Sequence, residues 1–149
     1  MVGDLLKQKN LTVATAESCT GGLLASRLTD TAGSSAYVKG GVVAYTNEIK
    51  NSILRVDGET LKNFGAVSSQ TAREMATNVR KIFSASIGVS TTGVAGPDMS
   101  ENKSVGTVFI AVDGENFSDV KEFHFTGTRT EIKAQTADAA LNFLMVCLT

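Results

Sequence analysis

The sequence predicts an α/β fold, a three-layer α/β/α arrangement with a mixed, mostly parallel sheet plus a C-terminal hairpin and helix. In the first two thirds of the chain, short apolar runs alternate with segments of helical periodicity, which indicates strands paired in parallel. In the last third, two strand-like runs flank Asp113-Gly114-Glu115-Asn116, a turn sequence typical of an antiparallel hairpin. A long helical segment follows, so helices are available for both faces of the sheet.

Apolar periodicity, caps and turn residues together predict the individual elements. In chain order they are a helical turn at 4–9, a strand at 11–16, a helix at 20–28, a strand at 37–46, helices at 48–54, 59–64 and 70–83, strands at 86–92, 105–112 and 117–126, and a helix at about 130–148. Asn47 is expected to cap one short helix and Gly65 to close the next. Gly40-Gly41 within a strand indicates a bulge or a close backbone approach.

The two longest helices carry apolar faces that we interpret as core. Ser68-Ser69 opens the first, and its apolar side chains recur at i, i+3, i+4 and i+7 spacing, which favours packing against the sheet over a cofactor site. These side chains are Ala72, Met75, Ala76, Val79, Ile82 and Phe83. The corresponding face of the last helix consists of Ile132, Ala139, Ala140, Phe143, Leu144 and Cys147.

The composition is that of an ordinary globular protein. The 149 residues are expected to form a single domain, 1–149, with 42% hydrophobic and 19% charged residues. A net charge of −1 without a basic block argues against a nucleic-acid partner. No apolar stretch is long enough for a membrane helix and no leader is recognisable, so a cytoplasmic location is expected, with Cys19 and Cys147 as free thiols. A single histidine and the absence of a Cys/His cluster predict no metal site.

One short segment, Thr15–Gly22, has a high density of hydroxyl, thiol and glycine residues. It joins a predicted strand to a predicted helix, so backbone N–H groups at the helix start face the end of the strand. Ser18 or Thr20 acting as a simple helix cap explains part of this pattern. Gly21-Gly22, which allows a substrate to approach the backbone closely, indicates instead a functional site.

Two further loops follow predicted strands and are expected to meet this segment at one end of the sheet. In the first, Tyr45 ends a strand and Lys50 lies one turn into the next helix. If Lys50 is desolvated, it can take a proton from a serine hydroxyl. If it is exposed, it is an ordinary surface residue of an amphipathic helix. The sequence leaves both alternatives open. The second loop, Thr92–Asp98, contains Gly93 and Gly96 and either cradles an anion or forms a plain turn.

Three other polar residues are candidates for a chemical role. Arg129 precedes the last helix and either binds phosphate through its planar guanidinium group or lies in solvent. His124 lies between two phenylalanines on a strand, so we expect it to face solvent rather than to act as a base. Cys19 competes with Ser18 as a nucleophile, because a helix N-terminus lowers a thiol pKa, but no histidine base accompanies it.

In combination, these segments resemble the CinA C-terminal domain family. The matching segments occur in family order and span nearly the whole chain. They are Thr15–Gly22, Ala32–Ser35, Gly40–Asn47, Lys50, Gly65–Ser68, Thr92–Asp98, Val105–Val108 and Gly127–Arg129.

The resemblance implies hydrolysis of the carboxamide of nicotinamide mononucleotide to nicotinate mononucleotide and ammonia, without a metal or cofactor. It makes Ser18 the nucleophile of a serine–lysine mechanism and Lys50 its base. Tyr45 and Thr92 are implied to assist this pair, and Arg129 to bind or position the nucleotide. The family's three-layer α/β/α fold agrees with the fold predicted from the periodicity, and its members are commonly homo-oligomers.

The backbone of the glycine-rich segments is expected to supply the remaining contacts with substrate. These residues are Thr20, Gly21, Gly22, Gly93 and Gly96. Residues 99–104 depart from the family pattern, since Met-Ser-Glu-Asn-Lys-Ser stands where members usually have glycines and Lys-Pro. Because of this departure, the alternative function is a non-catalytic nucleotide-binding or assembly module of the same fold.

Overall fold

The structure is a computed structural model that describes all 149 residues. It contains one five-stranded sheet, six α-helices and a short 3-10 helix at Ser34–Ala36. In chain order the elements are α1 (Val2–Gln8), β1 (Val13–Glu17), α2 (Leu23–Leu28), β2 (Val38–Val43), α3 (Asn47–Ser52), α4 (Gly58–Phe64), α5 (Ser69–Ile82), β3 (Ile87–Gly93), β4 (Thr107–Asp113), β5 (Ser118–His124) and α6 (Arg129–Leu148). None of the helices combines the length and the apolar character needed to cross a membrane.

The strand order in the sheet is β2-β1-β3-β4-β5. β1 pairs in parallel with both β2 and β3, whereas the β3–β4 and β4–β5 pairs are antiparallel. Helices connect the parallel strands and a tight hairpin connects β4 to β5, as the alternation of apolar runs predicts. The predicted α/β fold with a mixed sheet is therefore confirmed.

Helices cover both faces of the sheet. On one face α1, α2 and α6 pack through an apolar cluster that includes Leu6, Leu24 and Leu144. On the other face α5 packs through Met75 and Val79, while the end of its predicted apolar stripe, Ile82, is 38% exposed. Because both faces are covered, every residue of β4 is buried, and this strand has a continuous apolar run rather than an alternating pattern.

Two of the helix starts that differ from the predictions shape the site, and α1 also differs, since it spans Val2–Gln8 rather than 4–9. α2 begins at Leu23 rather than at Thr20, because Gly21 and Gly22 adopt φ angles of +61° and +105°, which an α-helix does not accommodate. The cap of α3 is Thr46 rather than Asn47: the Thr46 hydroxyl accepts a hydrogen bond from the Ile49 N–H at 3.3 Å. In both cases the chain reaches the helix by a turn, and these turns contribute to the site.

The carboxyl ends of β1, β2 and β3 lie side by side, since Glu17 of β1 is in register with Val43 of β2 and Thr91 of β3. The chain leaves β1 for β2 on one side and then crosses to β3 on the other side. Such a change of direction opens a crevice at the strand ends, which is the usual ligand position in open α/β sheets. The three loops noted in the sequence all start from this edge.

Candidate active site

Ser18 and Lys50 form a direct hydrogen bond at this edge of the sheet. Ser18 is the first residue after β1, and Lys50 lies in the last turn of α3, the helix that follows β2. Side chains on a helix lean toward its N-terminus, so Lys50 extends back toward the strand ends. Its Nζ lies 2.9 Å from Ser18 Oγ. The two side chains therefore have the contact that a nucleophile and its general base require.

The surroundings of Lys50 favour its neutral form. The side chain is 1% exposed, and no carboxylate forms an ion pair with it. Its other hydrogen bonds run to the backbone carbonyls of Ala44 (2.9 Å) and Tyr45 (3.3 Å), which carry no net charge. Burial lowers the pKa of Lys50, and the smaller effects of Cys19 and Glu101 in the opposite direction do not compensate.

The three acceptors around Lys50 Nζ set the direction of proton transfer. A protonated amine donates one hydrogen bond to each of them. A neutral amine keeps two hydrogens and has one lone pair, and a carbonyl oxygen can only accept. The two carbonyls therefore take the hydrogens, and the lone pair faces the Ser18 hydroxyl, which donates to it. In its neutral form Lys50 is oriented to remove the Ser18 proton.

Glu17 lies beneath the Ser18 turn and was not among the predicted site residues. Its carboxylate is 1% exposed and accepts hydrogen bonds from the N–H groups of Leu24 (2.8 Å) and Ala25 (3.0 Å), at the start of α2. The Thr20 hydroxyl also donates to it, at 2.6 Å. Glu17 thus performs the capping function considered for Ser18 or Thr20, and it leaves the Ser18 hydroxyl free for Lys50. An acidic residue shortly before a helix start is the signal that identifies this role.

The environment of Cys19 disfavours a thiolate nucleophile. Its side chain is 5% exposed and belongs to the apolar cluster beneath α2 and α6. Burial raises the pKa of the Cys19 thiol to about 12. The rise in the thiol pKa caused by desolvation therefore outweighs the fall in pKa expected near a helix start, and the thiol stays protonated at neutral pH. Of the two candidate nucleophiles, the geometry favours Ser18.

A cavity of about 410 Å³ lies over the Ser18–Lys50 pair, within the size range of small-ligand sites. The structure brings seven of the ten predicted site residues to this cavity. They are Ser18, Tyr45, Lys50, Thr92, Gly93, Gly96 and Arg129. The Thr92 hydroxyl donates to the Ala66 carbonyl at 2.8 Å and forms no hydrogen bond with Lys50, so Thr92 supports the cavity wall.

The other three predicted residues, Thr20, Gly21 and Gly22, line a separate cavity beside Arg27 and Lys133. The Thr20 hydroxyl is occupied by Glu17 and by Thr91, the latter at 2.8 Å. In the structure these residues shape the turn that carries Ser18, and they do not line the cavity above it. Direct contact of their side chains with a substrate bound over Ser18 does not follow from this placement.

Arg129 joins two of the loops at the mouth of the cavity. It is the first residue of α6, which begins with a capping box formed by Thr128 and Glu131. Its guanidinium group donates to the Tyr45 hydroxyl at 2.6 Å and to the Gly96 carbonyl. Tyr45 is 58% exposed. Arg129 and Tyr45 therefore present polar groups to any ligand that enters the cavity.

The segment that departs from the family pattern also lines the cavity, through Ser100 and Glu101. The Glu101 carboxylate accepts hydrogen bonds from the N–H groups of Ala66 (2.9 Å) and Val67 (3.0 Å), which precede α5. Lys103 donates to the Val67 carbonyl. The sequence offered no signal for this contact, because it joins residues about 35 positions apart through a single carboxylate.

The fold and the site define the class of protein: an α/β domain with a buried serine–lysine pair at the carboxyl edge of its parallel strands, beneath a polar cavity. No group of three or more His, Cys, Asp or Glu side chains is arranged to hold a metal ion.

Comparisons with known proteins show the family. The family described as the CinA C-terminal domain matches residues 1–148. A putative competence-damage inducible protein of Desulforamulus reducens is 50% identical over 141 residues, which cover 95% of this chain and 34% of the relative. One from Bacillus subtilis is 45% identical over 142 residues, 95% of this chain and 34% of the relative. The chain thus spans about a third of the length of the curated relatives it matches.

Solved structures give the same result. A CinA superfamily protein from Klebsiella pneumoniae superposes with a TM-score of 0.96 at 34% identity, covering 99% of this chain and 92% of that one. A competence/damage inducible protein from Agrobacterium tumefaciens gives a TM-score of 0.90 at 42% identity, covering 97% and 94% of the two chains. The chain belongs to the CinA C-terminal domain family.

Proposed function

We propose that this chain is an amidohydrolase that converts nicotinamide mononucleotide to nicotinate mononucleotide and ammonia. The observation that carries the proposal is the buried Lys50, with no ion-pair partner, 2.9 Å from the Ser18 hydroxyl at the base of a polar cavity. A lysine whose pKa is lowered by burial, in contact with a serine hydroxyl, has the chemistry of a general base and its nucleophile. The resemblance of the site segments to amidases of the family supplies the substrate.

The reaction proceeds through an ester of Ser18. Ser18 Oγ attacks the carboxamide carbon while its proton moves to Lys50 Nζ, which gives a tetrahedral intermediate. The C–N bond then breaks, Lys50 returns the proton to the departing nitrogen, and ammonia leaves. A water molecule, deprotonated by Lys50, attacks the ester carbonyl carbon. The ester bond to Ser18 breaks, its oxygen regains the proton from Lys50, and the carboxylic acid is released.

Backbone donors beside Ser18 suit the negative charge of the tetrahedral intermediate. The Ser18 N–H donates to the Thr91 carbonyl (3.0 Å) and the Gly21 N–H to the Ser18 carbonyl (3.1 Å). The N–H groups of Cys19 and Thr20 have no backbone acceptor. Of these two residues only Cys19 lines the cavity, so we assign the Cys19 N–H as a donor to the oxyanion, where one such donor typically contributes about 3 kcal/mol to the transition state.

The charges around the cavity match those of the proposed substrate. Nicotinamide mononucleotide carries an anionic phosphate and a cationic pyridinium ring. Arg129 at the cavity mouth offers a planar guanidinium group to the phosphate. Asp98 lines the same cavity and is proposed to face the cationic ring. The proposed mechanism requires the carboxamide of a nucleotide bound in this way to lie over Ser18.

The test is ammonia release by the purified chain from three amides: nicotinamide mononucleotide, free nicotinamide and NAD. We expect release from the mononucleotide with stoichiometric formation of nicotinate mononucleotide, identified by chromatography. Free nicotinamide lacks the phosphate that Arg129 is proposed to bind, so its kcat/KM should be much lower. Failure of the folded protein to release ammonia from the mononucleotide contradicts the proposal.

A further inference from the structure

The hairpin at residues 100–103 presents an acidic side chain to the cavity. Ser100 and Lys103 exchange backbone hydrogen bonds of 3.3 and 2.8 Å, and Glu101 and Asn102 between them have φ angles of +53° and +59°. Two successive left-handed residues other than glycine are energetically unfavourable, so other contacts must hold this turn in place. The Glu101 side chain, 28% exposed, makes those contacts.

The Glu101 carboxylate binds the wall of the cavity formed by residues 65–67. Its two oxygens accept the N–H groups of Ala66 and Val67 at 2.9 and 3.0 Å. Lys103 Nζ lies 3.5 Å from Glu101 Oε1. A Cβ on Gly65, where φ is +82°, would lie 2.4 Å from the same oxygen, so a side chain at this position would displace the carboxylate. The Glu101 carboxylate thus joins the hairpin to the wall.

This wall is in turn connected to the base of the cavity. The Ala66 carbonyl accepts the hydrogen bond of the Thr92 hydroxyl from β3, at 2.8 Å. Ala66 and Val67 line the same cavity as Ser18 and Lys50. Hydrogen bonds therefore link the hairpin, the wall and the central sheet in series.

We propose that Glu101 is a positioning residue of this site, which holds residues 65–67 as the wall that places the substrate over Ser18. The proposal rests on the proposed function for the substrate it positions. It gives a specific role to the segment that departs from the family pattern. In this chain the hairpin closes the wall through Glu101.

The charge of Glu101 provides a readout that a purely structural residue would not give. The titratable and charged side chains that line the cavity with Lys50 are Cys19, Tyr45, Asp98, Glu101 and Arg129, and Glu17 is buried behind Ser18. Among them, Cys19 and Glu101 raise the pKa of Lys50 against the larger lowering by burial. Since the Cys19 pKa is about 12, that thiol is neutral at neutral pH. Loss of the Glu101 charge should therefore lower the Lys50 pKa further.

The test compares Glu101→Gln with Glu48→Gln, which removes an exposed charge from α3, the helix that carries Lys50. In Glu101→Gln the side chain can accept only one of the two N–H groups. We expect KM for nicotinamide mononucleotide to rise about tenfold, the effect of one charge-assisted hydrogen bond, while kcat changes less. The acid limb of the pH profile of kcat should move to lower pH. Glu48→Gln should leave KM and the pH profile of kcat as in the wild type.

A titration of Lys50 by NMR, with ¹³C at its Cε, gives the same information without turnover. We expect the Lys50 pKa to be lower in Glu101→Gln than in the wild type and unchanged in Glu48→Gln. A lowered melting temperature with unchanged KM and unchanged Lys50 titration overturns the proposal. If the wild type releases no ammonia, the proposed function fails. The titration then still decides whether Glu101 acts on the Ser18–Lys50 pair. Equal Lys50 pKa values in the wild type and in Glu101→Gln overturn that role.

Discussion

At the scale of single residues, the burial of Lys50 is the feature on which the proposed chemistry depends. Its ammonium form has only a hydroxyl and two carbonyls as hydrogen-bond acceptors, and burial outweighs the smaller opposing effects of Cys19 and Glu101, so its pKa falls. Neutral Lys50 is the active form of a general base. Catalysis should therefore increase with pH as Lys50 loses its proton, and the lowered pKa extends activity toward neutral pH.

Lys50→Met tests this assignment, since methionine preserves an unbranched side chain and removes the amine. We expect kcat to fall by about 10²–10⁴-fold, the usual contribution of a general base. The residual activity should lose the acid limb that Lys50 produces in the wild type. Steady-state kinetics from pH 5 to 10 measures both effects, with circular dichroism as the control for folding. A variant that kept the wild-type pH profile would show that Lys50 is not the base.

Cys19→Ala distinguishes the two neighbouring nucleophiles. Because the Cys19 thiol is buried and its pKa is raised to about 12, it has almost no thiolate at neutral pH. We expect kcat within a few-fold of the wild type, together with some loss of stability from the smaller side chain in the core. Turnover of the Cys19→Ala and wild-type proteins before and after treatment with iodoacetamide is the measurement. Loss of turnover in a folded Cys19→Ala protein would assign the nucleophile to Cys19.

At the scale of elements, the site depends on how closely α5 packs on the sheet, because the wall at residues 65–67 leads into that helix. Gly88 of β3 permits the contact: a Cβ there would lie 2.0 Å from the Ala76 carbonyl oxygen of α5. No rotamer change can relieve a clash with a backbone atom. The helix or the strand must shift instead, and either movement disturbs the packing beneath the cavity.

We therefore expect Gly88→Ala to lower the free energy of unfolding by about 3 kcal/mol. Gly58→Ala is the matched control, since Gly58 starts α4 and has no atom within 4 Å of the Cβ position. Gly58→Ala should leave the free energy of unfolding unchanged or raise it by about 0.5 kcal/mol, because alanine reduces the conformational entropy of the unfolded chain. Urea unfolding of the two variants measures the difference. Equal midpoints for both variants would contradict the close packing of α5 on β3.

The helices and strands follow largely from local patterns in the sequence, whereas the contacts within the site do not. The apolar stripe of α5, its Ser68 cap and the Gly65 helix end all have sequence signals. The start of α2 was misplaced because the glycine turn and the Glu17 cap replace the usual hydroxyl cap. The contact of Glu101 with residues 66 and 67 depends on tertiary packing, for which periodicity gives no signal.

At the scale of the whole molecule, the sheet order brings distant segments to one edge. β1 lies between β2 and β3, so the loops after all three strands meet, and α6 adds Arg129 from near the end of the chain. The sequence predicted the convergence of the strand-end loops. The resemblance to the family, rather than any local pattern, assigned Ser18, Lys50 and Arg129 to one site.

Arg129→Met tests whether this long-range contact serves the phosphate. Arg129 holds Tyr45 and the Gly96 loop and is proposed to bind the nucleotide phosphate. We expect KM for nicotinamide mononucleotide to rise about tenfold or more, since a charge-assisted contact is lost. Nicotinamide riboside, which lacks the phosphate, should be affected much less. An equal rise in KM for both compounds would indicate that Arg129 only supports the loops.

The most direct measurement of the central claim is ammonia release from nicotinamide mononucleotide by wild type and Ser18→Ala side by side. Ser52→Ala, which changes an exposed serine on α3, is the matched control. The Ser18–Lys50 mechanism predicts release by the wild type and Ser52→Ala, and none above background by a folded Ser18→Ala. Release by Ser18→Ala at the wild-type rate would show that the reaction does not pass through Ser18, and would contradict the mechanism.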